Sequence, residues 1–131
     1  PPVLVDSSAW IEFLRGTGSV QDVRLTELIA HGRPLALTET VLMELLMGAD
    51  DDAHAERLRR FLVGFELCPT KGLRDAERAA DIYRSCRRLG LTVRSSLDCL
   101  IAAVALREGM PVLAAEGDFQ AIAQATGLGL L

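Results

Sequence analysis

Four carboxylates fall where the hydrophobic pattern of the chain leaves room for chemistry: Asp6, Glu44, Asp98 and Asp118. Asp6 ends the apolar, β-branched run Val3-Leu4-Val5, and Asp118 follows the run Val112-Leu113-Ala114. Glu44 and Asp98 lie in amphipathic stretches that flank such strand ends. Acids gathered at one site repel one another unless a cation neutralises them. Oxygen donors without His or Cys at ligand spacing suit Mg²⁺ or Mn²⁺ rather than zinc. A site of that kind activates water, polarises a phosphoryl oxygen and stabilises the leaving oxygen, the chemistry of a metal-dependent nuclease. Rival constellations are missing: there is no G-x-S-x-G, no P-loop and no G-x-G-x-x-G, and Gly16-Thr17-Gly18 follows a helix instead of a strand. His31 and His54 have no ligand partner at suitable spacing.

Each acid also has a purely structural reading. Asp6 can help cap the helix that follows it. Glu44 has three apolar neighbours on either side and can face outward, away from Leu42, Leu45 and Leu46. Ser95 and Asp98 have capping-box spacing, with Asp in place of the usual Glu or Gln. Asp118 is placed to serve as an N-cap. Their recurrence at comparable places favours a shared site over four separate caps.

The elements that must position them follow from periodicity. The opening apolar run reads as a buried parallel strand, followed by a helix capped by Ser7 or Ser8 and broken at Gly16. A second amphipathic run over residues 20–30 leads through Gly32-Arg33-Pro34 to a short strand, Leu35-Ala36-Leu37. Thr38 then opens a helix stopped by Gly48, so the strand–helix unit repeats. Asp50-Asp51-Asp52 lacks the alternating ligands of a calcium loop and reads as an acidic helix start. A weak third strand lies around residues 65–68, and a long helix over residues 75–89 carries arginines on its polar face. The strongest helix starts near Ser95, with Leu97, Leu100, Ile101 and Val104 as its buried stripe. A fourth strand spans residues 110–114, a last helix runs over residues 120–126, and residues 128–131 offer an edge strand. Right-handed crossovers bring successive strand ends to one edge of a parallel sheet, where ligands of open α/β sheets bind.

Composition sets the outer bounds. The 131 residues, half of them hydrophobic, make one domain over residues 1–131. No apolar run is long enough to span a membrane and no signal-peptide pattern opens the chain. Cys68, Cys86 and Cys99 show no C-x-x-C spacing and read as reduced, buried thiols of a cytoplasmic protein. The net charge of −4 argues against binding nucleic acid by bulk electrostatics. Without the four acids, however, the rest of the chain is formally neutral, and thirteen of its fourteen basic residues are arginine. RNA therefore stays open as a substrate. With few aromatics to spare for stacking, recognition of RNA shape and backbone is expected over base-by-base reading.

The segments Val5-Asp6-Ser7-Ser8-Ala9-Trp10, Met43-Glu44-Leu45-Leu46-Met47-Gly48, 92–102 around Ser95-Ser96-Leu97-Asp98, and Gly117-Asp118-Phe119 occur in an order and spacing that resemble the PIN-domain ribonucleases. In particular they are similar to the VapC toxins of bacterial toxin–antitoxin pairs. The resemblance implies a single-domain α/β/α sandwich around a short, mainly parallel sheet of order 3-2-1-4-5. It implies a Mg²⁺- or Mn²⁺-dependent endoribonuclease acting on tRNA or rRNA, with Asp6, Glu44, Asp98 and Asp118 as the catalytic acids. Asp6, Asp98 and Asp118 would be the metal ligands. Ser7, Thr92, Arg94 and Ser95 would face the substrate. A homodimer and a VapB-like antitoxin partner are also implied. The chain departs from many relatives at Ala114-Ala115-Glu116, where polar residues are lost, and this leaves Glu116 as an alternative to Asp118 for the fourth acid. A receiver domain would need an acid pair after the first strand and a late lysine, whereas a serine follows Asp6 and the sole lysine is Lys71. The alternative to the nuclease is a PIN-like module that has lost catalysis and only binds a partner protein or RNA.

Overall fold

The structure is a computed structural model that describes residues 1–115 and 117–131. Its sheet is built on β1 (Val3–Val5), whose three residues are completely buried, as a β-branched strand covered on both faces must be. Strand β1 pairs in parallel with β2 (Leu35–Leu37) on one side, and β2 pairs with the exposed edge strand β3 (Glu66–Leu67). On the other side, Leu4 and Val5 are in register with Val112 and Leu113 of β4 (Val112–Leu113). The order is therefore β3-β2-β1-β4.

The expected fifth strand is reduced to a single parallel bridge between Val112 and Leu130, closed by Val112 N–H to Gly129 O and Leu131 N–H to Val112 O, both 2.9 Å. The next N–H on that side of the strand, that of Met110, is bonded to Ala105 O at the end of α6 at 2.9 Å and cannot carry the ladder further. The first four positions of the expected order are as read, and the fifth is a bridge rather than a strand.

Among the described residues, seven helices accompany these strands. They are α1 (Ser7–Arg15), α2 (Val20–Ala30), α3 (Glu39–Met47), α4 (Asp52–Leu62), α5 (Gly72–Arg88), α6 (Ser96–Glu108) and α7 (Phe119–Thr126). Helices α1 to α4 pack among themselves, as do α5, α6 and α7, and the two groups flank the sheet. Trp10 is fully buried in the first group, its ring 5.1 Å from that of Phe65 and edge-on to Phe13 and Phe61. Cys68, Cys86 and Cys99 are free and buried, as expected. The acidic start at residues 50–52 is a helix start, with Asp51 capping α4 through its bond to His54 N–H. Among the described residues, no helix is long and apolar enough to cross a membrane.

One core feature had no sequence signal. Asp75, in the first turn of α5, is 1% exposed and accepts Nε and Nη2 of Arg107 from α6 at 3.1 and 3.0 Å. Two parallel bonds of this kind fix both distance and orientation. They lock the start of α5 against the end of α6, and so set where the N-terminus of α6 emerges.

Candidate active site

Asp6 is the first residue past β1. Its N–H still joins the ladder, donating to Leu113 O at 2.9 Å, so the strand pairing itself sets where the carboxylate begins. The backbone is extended (φ −74°, ψ 157°), and Oδ2 accepts Ser8 N–H at 3.1 Å. Asp6 is thus the cap of α1, and the helix starts at Ser7. The expected caps Ser7 and Ser8 lie inside the first turn, because an aspartate at the last extended position reaches the N–H two residues on.

Both serines hold acids instead. Ser8 Oγ donates to Asp6 Oδ2 at 2.6 Å and accepts Ala115 N–H at 3.0 Å, which ties the loop after β4 to the end of β1. Ser8 was missed as a site residue; its only local signal is a hydroxyl two positions after a strand-end aspartate. Ser7 Oγ donates to Glu44 Oε1 at 3.3 Å. Glu44 is therefore half-buried and turned toward Asp6, not outward as helical spacing allowed. Burial pushes its carboxyl above the usual range, the charge of Asp6 adds to the rise, and the Ser7 bond opposes it.

Asp98 enters from α6. Ser95 is the helix cap, its Oγ accepting Asp98 N–H at 3.4 Å. A complete capping box would return the Asp98 carboxylate to Ser95 N–H. That N–H is taken by Asp118, whose Oδ2 accepts it at 2.8 Å while Oδ1 accepts Arg94 N–H at 3.1 Å. Asp118 stands at the N-cap position of α7 but in helical geometry (φ −84°, ψ −4°), and it makes no capping bond there. The expected N-cap is instead a clamp on the loop before α6, and it releases the Asp98 carboxylate from its own helix end.

The released carboxylate meets little that favours its charge. Asp98 Oδ2 lies 3.4 Å from Asp118 N, and a Cβ on Gly117 would sit 3.0 Å from the same oxygen. Gly117 has φ +93°, so both its conformation and its closeness to Asp98 call for glycine. Burial first, and then the charge of Asp6, push the Asp98 carboxyl up to about 7. Among the described residues, no arginine or lysine is among the causes that act on Asp98 or Glu44. A carboxylate in the first turn of a helix should be favoured by the helix dipole. Capping alone does not account for Asp98.

The structure therefore brings Glu44 and Asp98 each into the field of Asp6, and places Asp118 beside Asp98 as its loop clamp. Thr92 and Arg94 expose their side chains on the same loop, and Ser95 is engaged as the cap. Glu116, the alternative fourth acid, lies outside the described residues.

The PIN-domain family matches this chain over residues 3–125. A VapC ribonuclease of Mycobacterium bovis is 41% identical to it over 127 residues, covering 96% of this chain and 95% of the relative. The chain belongs to the PIN-domain family, with the VapC ribonucleases. Ribonuclease VapC11 of Mycobacterium tuberculosis matches it to the same extent. In fold, this PIN domain superposes on VapBC2 of Rickettsia felis bound to a DNA fragment from its promoter, with a TM-score of 0.76 at 17% identity over 100% of this chain and 98% of the other. It superposes on VapBC-5 of Mycobacterium tuberculosis with a TM-score of 0.68 at 24% identity, over 99% and 97% of the two chains.

The donor set of this PIN domain suits a hard divalent cation. Its acids are oxygen donors, and Glu44 and Asp98 are desolvated and repelled by the charge of Asp6, a condition that a Mg²⁺ or Mn²⁺ ion relieves. Among the described residues, no three acidic, His or Cys side chains close on a common point as they stand.

Proposed function

We propose that this PIN domain is the ribonuclease toxin of a VapC-type toxin–antitoxin pair, a metal-dependent endoribonuclease that hydrolyses RNA phosphodiester bonds. The observation that carries the reading is Asp98: it is half-buried, released from its helix cap and raised to about 7 by burial and by the charge of Asp6. Asp6 and Asp98 would hold Mg²⁺ or Mn²⁺, with Glu44 facing it and Asp118 or Glu116 completing the acidic set. When bound, such an ion lowers the pKa of water and neutralises charge building on the phosphate. The chain's own residues prepare the site. Ser8 fixes one oxygen of Asp6, Ser7 turns Glu44 inward, and Asp118 holds the loop so that the Asp98 carboxylate points away from the α6 backbone. Thr92 and Arg94 stand at the rim, where RNA would pass.

The names of the relatives support ribonuclease action, and the VapBC assemblies that share the fold support a VapB-like antitoxin as partner. We also propose tRNA or rRNA as substrate, a homodimer, and a cytoplasmic setting. The test is incubation of the antitoxin-free chain with total bacterial RNA in Mg²⁺ or Mn²⁺, with EDTA and Asp98→Asn controls and mapping of the fragment ends. Discrete fragments that require both the metal and Asp98 are expected. Folded, antitoxin-free protein that leaves every RNA intact at all metal concentrations would move the chain to the binding-only class.

A further inference from the structure

We infer that the cavity between the first turn of α2 and the loop after β4 receives one unpaired base of the RNA, next to the phosphate that is cut, and reads it by hydrogen bonds. This rests on the ribonuclease reading and adds a place where sequence is sensed. The cavity encloses about 430 Å³, within the range of about 300–1,000 Å³ typical of small-ligand sites. None of the four acids lines it, but it shares a wall with them. Gly117 belongs to that wall, and a Cβ there would sit 3.0 Å from Asp98 Oδ2. Ala115 belongs to it too; its N–H bonds Ser8 Oγ at 3.0 Å, and that hydroxyl donates to Asp6 Oδ2 at 2.6 Å. Glu116, between them, lies outside the described residues. A strand with its phosphate over the acids therefore has a neighbouring nucleotide at the cavity mouth.

Hydrogen-bonding groups, more than charge or apolar surface, set this cavity apart. Along β4 the peptide groups face the two sides in turn. Pro111 O, Leu113 O and Ala115 N–H face β1 and α1, where they bond Leu4, Asp6 and Ser8. Val112 faces outward and is paired with Gly129 and Leu131. Ala114 follows on the outward side and lines the cavity, and neither its N–H nor its C=O has a partner among the described residues. Around it stand Gln21 and Arg24, three apart on one face of α2, and Gln120 in the first turn of α7. Among the described residues, neither side-chain amide is hydrogen-bonded and Arg24 forms no ion pair. The acids flanking Arg24 on α2, Asp22 and Glu27, do not line the cavity, and Asp22 is engaged by Gly18 N–H and Thr26 Oγ1.

Donors and acceptors side by side, from one peptide and two amides, match the edge of a nucleobase, and a lone arginine suits its phosphate. A peptide adding as a strand would need a run of open N–H and C=O groups. Residues 129–131 already take the edge at Val112 and leave Ala114 alone, which suits a base and not a strand. Shape and backbone contacts then place the RNA, and one base beside the cut is read.

The test uses the full-length Asp98→Asn chain, which binds without cutting, and a short single-stranded RNA in which one abasic site is moved position by position. At one position beside the cut, as mapped with wild-type protein, loss of the base should weaken binding roughly ten-fold. Gln21→Ala combined with Gln120→Ala should remove that penalty and leave the effects at other positions as they were. Arg24→Ala should weaken binding whatever the base and lower the slope of log affinity against log salt by about 0.7, and Arg24→Lys should restore it. A flat abasic profile, or a peak that survives the double substitution, would overturn the inference. So would substitutions that spare RNA binding and weaken only the complex with the antitoxin, which would assign the cavity to a protein tail. These outcomes are read in a chain that cannot cleave. Failure of wild-type protein to cut any RNA is a separate result, and it would sink the ribonuclease reading itself.

Discussion

Asp75 and Asp98 are the same residue at the same local address, the first turn of a helix in the α5–α6 pair, yet the fold treats them in opposite ways. Asp75 is met by two nitrogens of Arg107 and by the Lys71 N–H at 2.7 Å; the Arg107 bonds first of all hold its carboxyl below the usual range. Asp98 accepts a weak contact from the Asp118 N–H, lies in the field of Asp6 and Asp118, and is pushed up to about 7, by burial first. One acid is a fastening, stable because its countercharge is built into the chain. The other is left without a built-in countercharge, and a protein tolerates that where a ligand supplies it. Burial of an aspartate says little about its job until its partners are counted.

The sharpest way to break the comparison is to neutralise each acid in turn. Asp98→Asn should lower RNA cleavage by roughly a thousand-fold or more, the scale expected when a group central to metal-assisted chemistry is lost, while thermal stability holds or rises. Asp75→Asn should do the reverse. It removes the buried charge partner of Arg107, leaving only the half-exposed Glu108 at 3.1 Å, and should cost about 3 kcal/mol in urea unfolding, while cleavage per folded molecule stays near wild type. Loss of activity in Asp75→Asn without loss of stability would put the two acids in one functional unit and undo the distinction.

A slower titration sharpens the same contrast. For Asp75 the folded pKa lies below its unfolded value near 3.8, so its contribution is complete above that pH and lost as pH falls through the folded value. For Asp98 the folded value is raised, so between about 4 and 7 the folded chain holds a proton that the unfolded chain releases. Metal-free protein should therefore lose stability as pH rises through that window, and Asp98→Asn should flatten the fall. Mg²⁺ or Mn²⁺ at pH 8 should raise the melting temperature of wild type and barely move that of Asp98→Asn. Melting curves with and without EDTA check both statements; a metal response that survives in Asp98→Asn would place the cation elsewhere.

What could be read from sequence and what could not divides along contact range. The strand that ends at Asp6 and the helix that opens at Ser95 are local patterns of apolar spacing and capping residues, and both stand where they were expected. Asp98 was legible as a first-turn acid for the same reason. The Asp118 clamp was not, because its partners lie 23 and 24 residues upstream and an aspartate just before a helix looks like a cap. The Asp75–Arg107 pair was hidden likewise: an acid opening one helix and a base closing another are each explained by the helix dipole. Glu44 shows the converse error. Periodicity placed it outward, and only the fold could show that Ser7, 37 residues away, turns it in.

The smallest effect tests whether the hydroxyl of Ser8 belongs to the site or only to the fold. It bridges Asp6 Oδ2 and Ala115 N–H, so Ser8→Ala loosens the Asp6 carboxylate and the loop after β4 together. If Ser8 were only a fastening, the loss would be about 1 kcal/mol of stability, the ordinary worth of such a bond, with cleavage intact. If it positions Asp6, cleavage should also drop roughly ten-fold, the scale seen when the partners of a metal-binding acid are removed, and the Mg²⁺ concentration giving half-maximal rate should rise with it. Ser8→Thr keeps the hydroxyl and should recover most of the metal response. A stability loss alone, with an unshifted metal dependence, would place Ser8 beside Asp75 among the groups that hold the fold.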